Sequence, residues 1–253
     1  FRLAQPNLRY ASILILLVCI VGFFIISTTP SRAAVFEVNS LADTAPNGCD
    51  PLPGDCTLRE AINAANASVV DDVINFSVAG TIVLGLGDLP AIAPGVGTLT
   101  INGTGAIIVD GNGGAVTGFT INSAGNAIYG LDITGFAGSA IVINDVPNNI
   151  IGGTAPGQRN LIYANAGAGV IIQGINATGN SVVNNVIGTD AGVLPVAGNA
   201  VGILVQNDAN GNFIGTLNGG NIVSNNTGAG ILITGADNNA ISGNFVGTNT
   251  GGT

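Results

Sequence analysis

Three short apolar segments recur in a fixed order along most of the chain, and this repeat constrains the fold more than any other feature. GVIIQG (169–174), GILVQN (202–207) and GILITG (230–235) align with one another and with SAIVIN (139–144). A second column holds NNIIGG (148–153), GNSVVNN (179–185), GNFIGT (211–216) and NNAISGN (238–244). A third holds NLIYAN (160–165), NVIGTD (185–190), NIVSNN (221–226) and NFVGTN (244–249). The period is about 22 to 33 residues, as expected of a repeat architecture. GFTINSAGNAIYGLDITG (118–135) is a shortened turn of the same kind, and LTING and AIIVDG extend the series towards the N-terminus.

Each segment spans only four or five residues and is bounded by Gly or Asn, the residues that best tolerate the left-handed backbone of a sharp bend. One such coil has no core of its own, whereas stacked coils share one. The pattern therefore predicts an all-β chain folded as a parallel β-helix with three short strands per coil. Six or seven coils at the usual strand spacing make a rod of only ~30 Å. Asn at recurring bends, as at Asn185 and Asn244, is expected to ladder its amide along the stack. The 40 Gly and about thirty Asn follow from this architecture, and the 5% aromatic content implies a core of small aliphatics.

GDCTLREAINAAN (54–66) is the one run with helical character. Thr57 and Glu60 have capping-box spacing, and a helix from Leu58 to about Ala65 places Leu58, Ala61, Ile62 and Ala65 on one face, with Arg59 between them. So short a helix is marginal alone and must dock. The open end of the first coil is the natural dock, so the helix reads as an N-terminal cap.

Residues 1–33 have the form of a cleavable signal peptide. Arg2 and Arg9 form a basic start, 11–26 an apolar run, and Ser31, Arg32 and Ala33 a small-x-small cleavage site after Ala33. The domains expected are thus the signal peptide (1–33), a cap with the first strands (34–97) and the repeats (98–253). The repeats end directly after a third-column strand, which reads as a chain truncated at its C-terminus. Export makes Cys49 and Cys56, which close the loop CDPLPGDC, a disulfide pair. Beyond Ala33 only Arg59 and Arg159 stand against 14 carboxylates, so nucleic acid is set aside as a partner, and membrane contact is expected through the signal segment alone.

The stretch 36–76, with Cys56, Thr57, Leu58, Arg59, Glu60 and Ala61 at its centre, resembles the N-terminal module of the CSLREA-domain family of secreted or surface bacterial proteins. Asp72, Ile74 and Phe76, the GTIVL strand, the Leu89–Pro90 turn and the NxIGT repeats fit the same resemblance. It implies a right-handed β-helix and an extracellular or outer-surface location.

Catalytic chemistry is thinly represented. With no His in the chain, a Ser-His-Asp triad is excluded. A polysaccharide lyase needs a strong base, for which the repeats offer Arg159, with Asp132 or Asp190 within reach from stacked coils. A glycosidase needs two carboxylates; Asp110, Asp132, Asp145, Asp190, Asp208 and Asp237 are the candidates, mostly placed at strand ends and turns of different coils. Asp43, Asp50 and Asp55, with Glu60, are the Ca²⁺ candidates, but turn formation and charge at the helix N-terminus are the preferred account of them; no cofactor is expected. Asp71 and Asp72 read as a solvated turn before a strand, and the glycine-rich GNGG (111–114) lacks the Lys of a phosphate loop.

In the first column Ile141, Ile143, Val170, Ile172, Ile203, Val205, Ile231 and Ile233 share one face by strand alternation, and Val142, Ile171, Leu204 and Leu232 share the other. One set must face outward, either as a stripe for self-association or beneath a covering loop such as 190–199. The expected role is structural or adhesive, in contact with carbohydrate or the cell envelope. A polysaccharide lyase or glycoside hydrolase is the second expectation.

Overall fold

The computed structural model describes residues 33–49, 55–189 and 197–247. The stretch read from sequence as a signal peptide, up to Arg32, lies outside the described residues, as do Asp50, Asp190, most of the 190–199 loop and the chain end.

Among the described residues the chain is mostly β, with one helix, and every strand pairing is parallel. β1 (Ala34–Val38) precedes the helix α1 (Leu58–Ala67); β2 (Asp72–Phe76), β3 (Gly80–Val83) and β4 (Leu99–Asp110) follow. One sheet then stacks β5 (Phe119–Ile121), β7 (Ile141–Asn144), β10 (Ala168–Gln173), β13 (Val201–Gln206) and β16 (Ile231–Thr234). The other runs from β1 through β2 and β4 to β6 (Ala127–Thr134), with β3 paired to the second half of β4. It divides there: β8 (Ile150–Ile151), β11 (Ser181–Val182), β14 (Phe213–Ile214) and β17 (Ala240–Ile241) continue from the first half of β6. From the second half continue β9 (Leu161–Ile162), β12 (Val186–Ile187), β15 (Ile222–Val223) and β18 (Phe245–Val246).

These three stacks are the three columns of the sequence repeat, in register. Val170 lies opposite both Ile141 and Ile203, Val182 opposite Ile151 and Ile214, and Ile187 opposite Ile162 and Val223. The result is a strongly curled parallel sheet of solenoid type. Strand length departs from expectation in both directions. β4 and β6 run through the bend, because only the linker 103–106, with Thr104 at φ 56°, or the single Gly130 at φ 62° separates their halves. Where the bend carries a loop, as at 152–160, hydrogen bonding shrinks to two-residue strands.

Inward-facing aliphatics fill one continuous core from Val38 to Val223, in which Ile141, Ile143, Val170, Ile172, Ile203 and Val205 are fully buried. Each such side chain contributes about 1.5–3 kcal/mol on burial. The bends are polar yet equally buried. Three columns of Asn run parallel to the stack: 126–149–180–212–239, 160–185–221–244 and 165–199–226. Asn180 shows the rule. Its Oδ1 accepts from the backbone N–H of Asn149 (2.8 Å) and from Asn149 Nδ2 (3.1 Å). Its own N–H and Nδ2 donate to Asn212 Oδ1 (2.9 and 3.0 Å), and Nδ2 also reaches Val146 O (3.1 Å). A buried amide that satisfies both lone pairs and both hydrogens escapes the desolvation cost of an unpaired group. Asn185 and Asn244 lie in one of these columns, as expected.

At the start of the stack, α1 is capped as the sequence predicts and runs two residues further. Thr57 Oγ1 accepts from Glu60 N (3.3 Å) and Glu60 Oε2 accepts from Thr57 N (2.8 Å). Leu58, Ala61, Ile62 and Ala65 are at most 1% exposed, and the helix packs on β1 and β2. Cys49 and Cys56 are disulfide-bonded.

An interior ladder residue is expected to matter more than an exposed amide of the same type. Asn180→Ala leaves the Asn149 N–H and Nδ2 without their acceptor, and should lower unfolding stability by about 2–4 kcal/mol. Asn218→Ala, in an exposed turn, should change it by under about 0.5 kcal/mol. Urea denaturation of the two variants checks the difference.

Candidate functional site

The helix end of the stack concentrates charge, and the charge is committed to holding the helix in place. Arg59 is 8% exposed; its Nε and Nη2 donate to Asp43 (2.7 and 3.1 Å), Nη1 to Asp88 O (2.7 Å) and Nη2 to Gly87 O (3.0 Å). Asp43 Oδ2 also accepts from Gly85 N and Leu86 N, both at 2.9 Å. Burial opposes its ionisation, but the Arg59 hydrogen bond, the two amides and the Arg59 charge outweigh it and hold the carboxyl below its ordinary value. Glu60 is likewise held low despite burial, by the amides of Asn47, Thr57 and Gly48 and the Thr57 hydroxyl. Asn66 donates to Ala91 O (2.7 Å) and accepts from Ala93 N (2.8 Å). Among the Ca²⁺ candidates, Asp43 is therefore an ion-pair partner of Arg59, and Asp55 accepts from Asn47 Nδ2 (3.3 Å).

Asp72 corrects the solvated-turn reading. Asp71 is exposed and accepts from Thr98 N and Oγ1 (2.9 and 3.1 Å), but Asp72 is 2% exposed, because it begins β2 and lies between β1 and β4.

Arg159 is in the 152–160 bend, where Nε donates to Asn184 O (3.2 Å) and Nη2 to Asn184 Oδ1 (2.8 Å). Asp145, Asp208 and Asp237 lie in turns after first-column strands. Asp132 does not: it is within β6, flanked by Ile108 on β4 and Leu161 on β9. Burial between these aliphatic neighbours pushes its carboxyl up to about 6. Asp110 pairs with Thr134, one strand across and two residues along from Asp132. The strand spacing and rise put the two Cα atoms about 8 Å apart.

The outer face of the five-stranded sheet is the most regular exposed surface. Val142, Ile171, Leu204 and Leu232 are in register on it, partly exposed and rising to 39% at Leu232. Their alternate neighbours on β7, β10 and β13 are fully buried, which decides between the two sets: Val142, Ile171, Leu204 and Leu232 face outward. Beside this row runs a feature the sequence reading missed. Asn144 Nδ2 donates to Asn122 Oδ1 (3.2 Å), Gln173 Nε2 to Asn144 Oδ1 (3.1 Å) and Gln206 Nε2 to Gln173 Oε1 (3.0 Å). The signal was present: an amide closes the first-column segments at 144, 173 and 206, two residues after each outward aliphatic. The face thus presents an uncharged amide row and an uncharged aliphatic row at one spacing. A shallow cleft of about 450 Å³ lies elsewhere, lined by Phe136 and small residues including Gly113, Ala164 and Gly198.

Asp132 yields a pH prediction with a defined sign. Its folded-state value, about 6, is above the ordinary 3.8, so the folded chain holds this proton more tightly than the unfolded one. Its contribution therefore becomes unfavourable as pH rises from about 4 through 6, by about 1–2 kcal/mol once solvent screening of this partly exposed carboxyl is included. Asp132→Asn should raise stability at pH 8 by about 1–2 kcal/mol and remove that slope. Urea titrations at pH 4.5 and pH 8 measure both.

The chain matches no protein-family model and no curated protein.

Proposed function

We propose that this is an exported structural or adhesive protein of the CSLREA-domain type, a right-handed parallel β-helix closed at its N-terminal end by α1. In this reading the segment to Ala33 is a cleaved signal peptide, and the protein acts outside the cell or on its outer surface. The observation that carries the reading is the outer face of the five-stranded sheet. Hydrogen-bonding amides at Asn122, Asn144, Gln173 and Gln206 alternate there with the aliphatic row Val142, Ile171, Leu204 and Leu232. Sugar rings offer the complementary pair of surfaces, hydroxyl edges for amides and C–H faces for aliphatics. The Cys49–Cys56 disulfide is in keeping with an oxidising compartment.

The same face is also suited to self-association. A flat, in-register array of aliphatic and amide side chains can pack against a second copy with little desolvation of charge.

A second reading, a glycoside hydrolase, draws on Asp132. A carboxyl raised to about 6 is suited to a general acid, and Asp110 supplies a second carboxylate diagonally across on the neighbouring strand.

Two measurements test these proposals. On a glycan array or whole bacterial cells, Gln173→Glu with Gln206→Glu should lower binding at least about tenfold without loss of folding, because two like charges replace a hydrogen-bonded pair. Product release from polysaccharides that is abolished by Asp132→Asn would overturn the adhesive reading in favour of the hydrolase. In sedimentation velocity, Leu204→Ser with Leu232→Ser should shift a self-associating sample to monomer; an unchanged distribution would remove the homotypic interface.

A further inference from the structure

Among the described residues, Asp72 Oδ2 is the one buried side-chain polar atom without a hydrogen-bond partner. The carboxylate is 2% exposed, and its other oxygen accepts from Ser68 Oγ (3.0 Å). An unpaired oxygen on a buried carboxylate costs several kcal/mol unless a cation meets it. The described residues supply none. The chain has no Lys, Arg59 is bound to Asp43, and Arg159 is bound to Asn184.

What does stand beside Asp72 is the start of β1. Ala34 is its register partner, and the Ala34 amide already acts on the carboxyl as a donor. Adjacent strands are about 4.8 Å apart, and the register sets the Ala34 nitrogen on the strand next to this carboxylate. An amide nitrogen in the chain offers one hydrogen and no charge. A free α-ammonium at the same position offers three hydrogens and a full positive charge. Ala33, immediately before it, is exposed and ends the small-x-small run Ser31, Arg32, Ala33.

We propose that cleavage after Ala33 creates a buried ion pair between the new α-ammonium group of Ala34 and the Asp72 carboxylate, locking β1 onto β2. This rests on the export reading above. An endopeptidase of the signal-peptidase class hydrolyses the Ala33–Ala34 amide with one water. The C–N bond breaks, the Ala33 carbonyl carbon gains oxygen and leaves as a carboxylate, and the Ala34 nitrogen takes the protons and becomes ammonium. The carboxyl of the uncleaved chain is held above its ordinary value by burial and by the charge of Asp71, against the Ser68 and Ala34 hydrogen bonds. A cation at Ala34 supplies the missing compensation. Processing then does more than remove a leader: it completes the first rung of the stack.

The absence of Lys makes the test direct, because the α-amine is the only primary amine of the processed chain. The full chain is exported from a host with a signal peptidase, and its N-terminus is read by intact mass and peptide sequencing. Ala34 is expected. The folded product is then treated with an amine-reactive ester. Labelling is expected to be at least about tenfold slower than in urea, because the ion pair holds the amine protonated and burial shields it from the ester. Asp72→Asn should restore fast labelling, while Asp71→Asn should leave it slow. If Asp72→Asn does not fold, a product that retains Ala33 as its first residue serves instead. Its displaced amine should label at the urea rate, and its Tm should fall below that of the Ala34 product.

An N-terminus other than Ala34 would overturn the cleavage site on which the proposal rests. An Ala34 N-terminus whose amine labels at the urea rate would overturn the ion pair and leave export standing. Equal Tm for the uncleaved and Ala34-initiated chains would also overturn it, since Asp72 would then already have its compensation.

Discussion

Among the described residues, each repeating coil turns through three corners that are buried on one side, and the amide ladders are what make that possible. A corner breaks the strand ladder, so its backbone N–H groups lose their regular acceptors in a dry environment. Asn restores them: its side-chain oxygen takes the N–H of the preceding coil, while its Nδ2 donates to the next amide and to a nearby carbonyl. No other side chain fits all of these requirements. Asp lacks the donors and would stack like charges at strand spacing, Gln adds a methylene, and Ser or Thr brings a single hydrogen. The ladders therefore set the composition as much as the core does. Most ladder residues also follow a left-handed one, as with Asn148 (φ 62°) before Asn149, Gly179 (φ 67°) before Asn180 and Asn225 (φ 58°) before Asn226. The recurring NN and GN pairs are thus one bending residue followed by one laddering residue.

The first rungs obey different rules because they have a neighbour on one side only. There the chain departs from the repeat and uses ionised groups. Arg59 ties the helix to Asp43 and to the carbonyls of Gly87 and Asp88; Glu60 gathers the amides of Asn47 and Thr57; Asp72 begins β2 beside Ala34. Periodic hydrogen bonding needs no net charge, whereas the end of a periodic structure has unmatched groups that charged side chains can answer. The disulfide sits in the same region, where it joins the loop carrying Asn47 to the residue before the N-cap.

This division explains what could be read from the sequence and what could not. Repeating features were legible because each position is stated several times: the three columns, their order, the inward and outward aliphatic sets and the laddering of Asn185 with Asn244. The capping box was legible because Thr57 and Glu60 are local. The Arg59–Asp43 pair spans 16 residues and occurs once, so no periodicity announces it. Asp72 was misread for the same reason; DD before a strand looks like a turn, and only the strand on its other side buries it. Asp132 belongs to a group of acids that the repeat places mostly at strand ends and turns, yet β6 runs through its bend at Gly130 and carries Asp132 into the middle of a strand.

The same logic locates where function can be written on such a scaffold. Inward positions are fixed by packing, corner positions by the ladder, and left-handed positions by backbone sterics. What remains free is the outward row of each strand and the loops that leave the corners. On the five-stranded sheet that free row repeats amide and aliphatic over β7, β10 and β13, with Thr120 and Thr234 in its end strands, so it presents one chemistry over several coils instead of a single focused site. On the other sheet the outward row carries one acid within a strand beside two aliphatic neighbours, Asp132, whose burial between Ile108 and Leu161 raises its carboxyl. A repeated row favours an extended ligand or a second repeated row, and a single perturbed acid favours local chemistry. The repeated row spans several coils and the acid only one, which is why binding is the reading argued first.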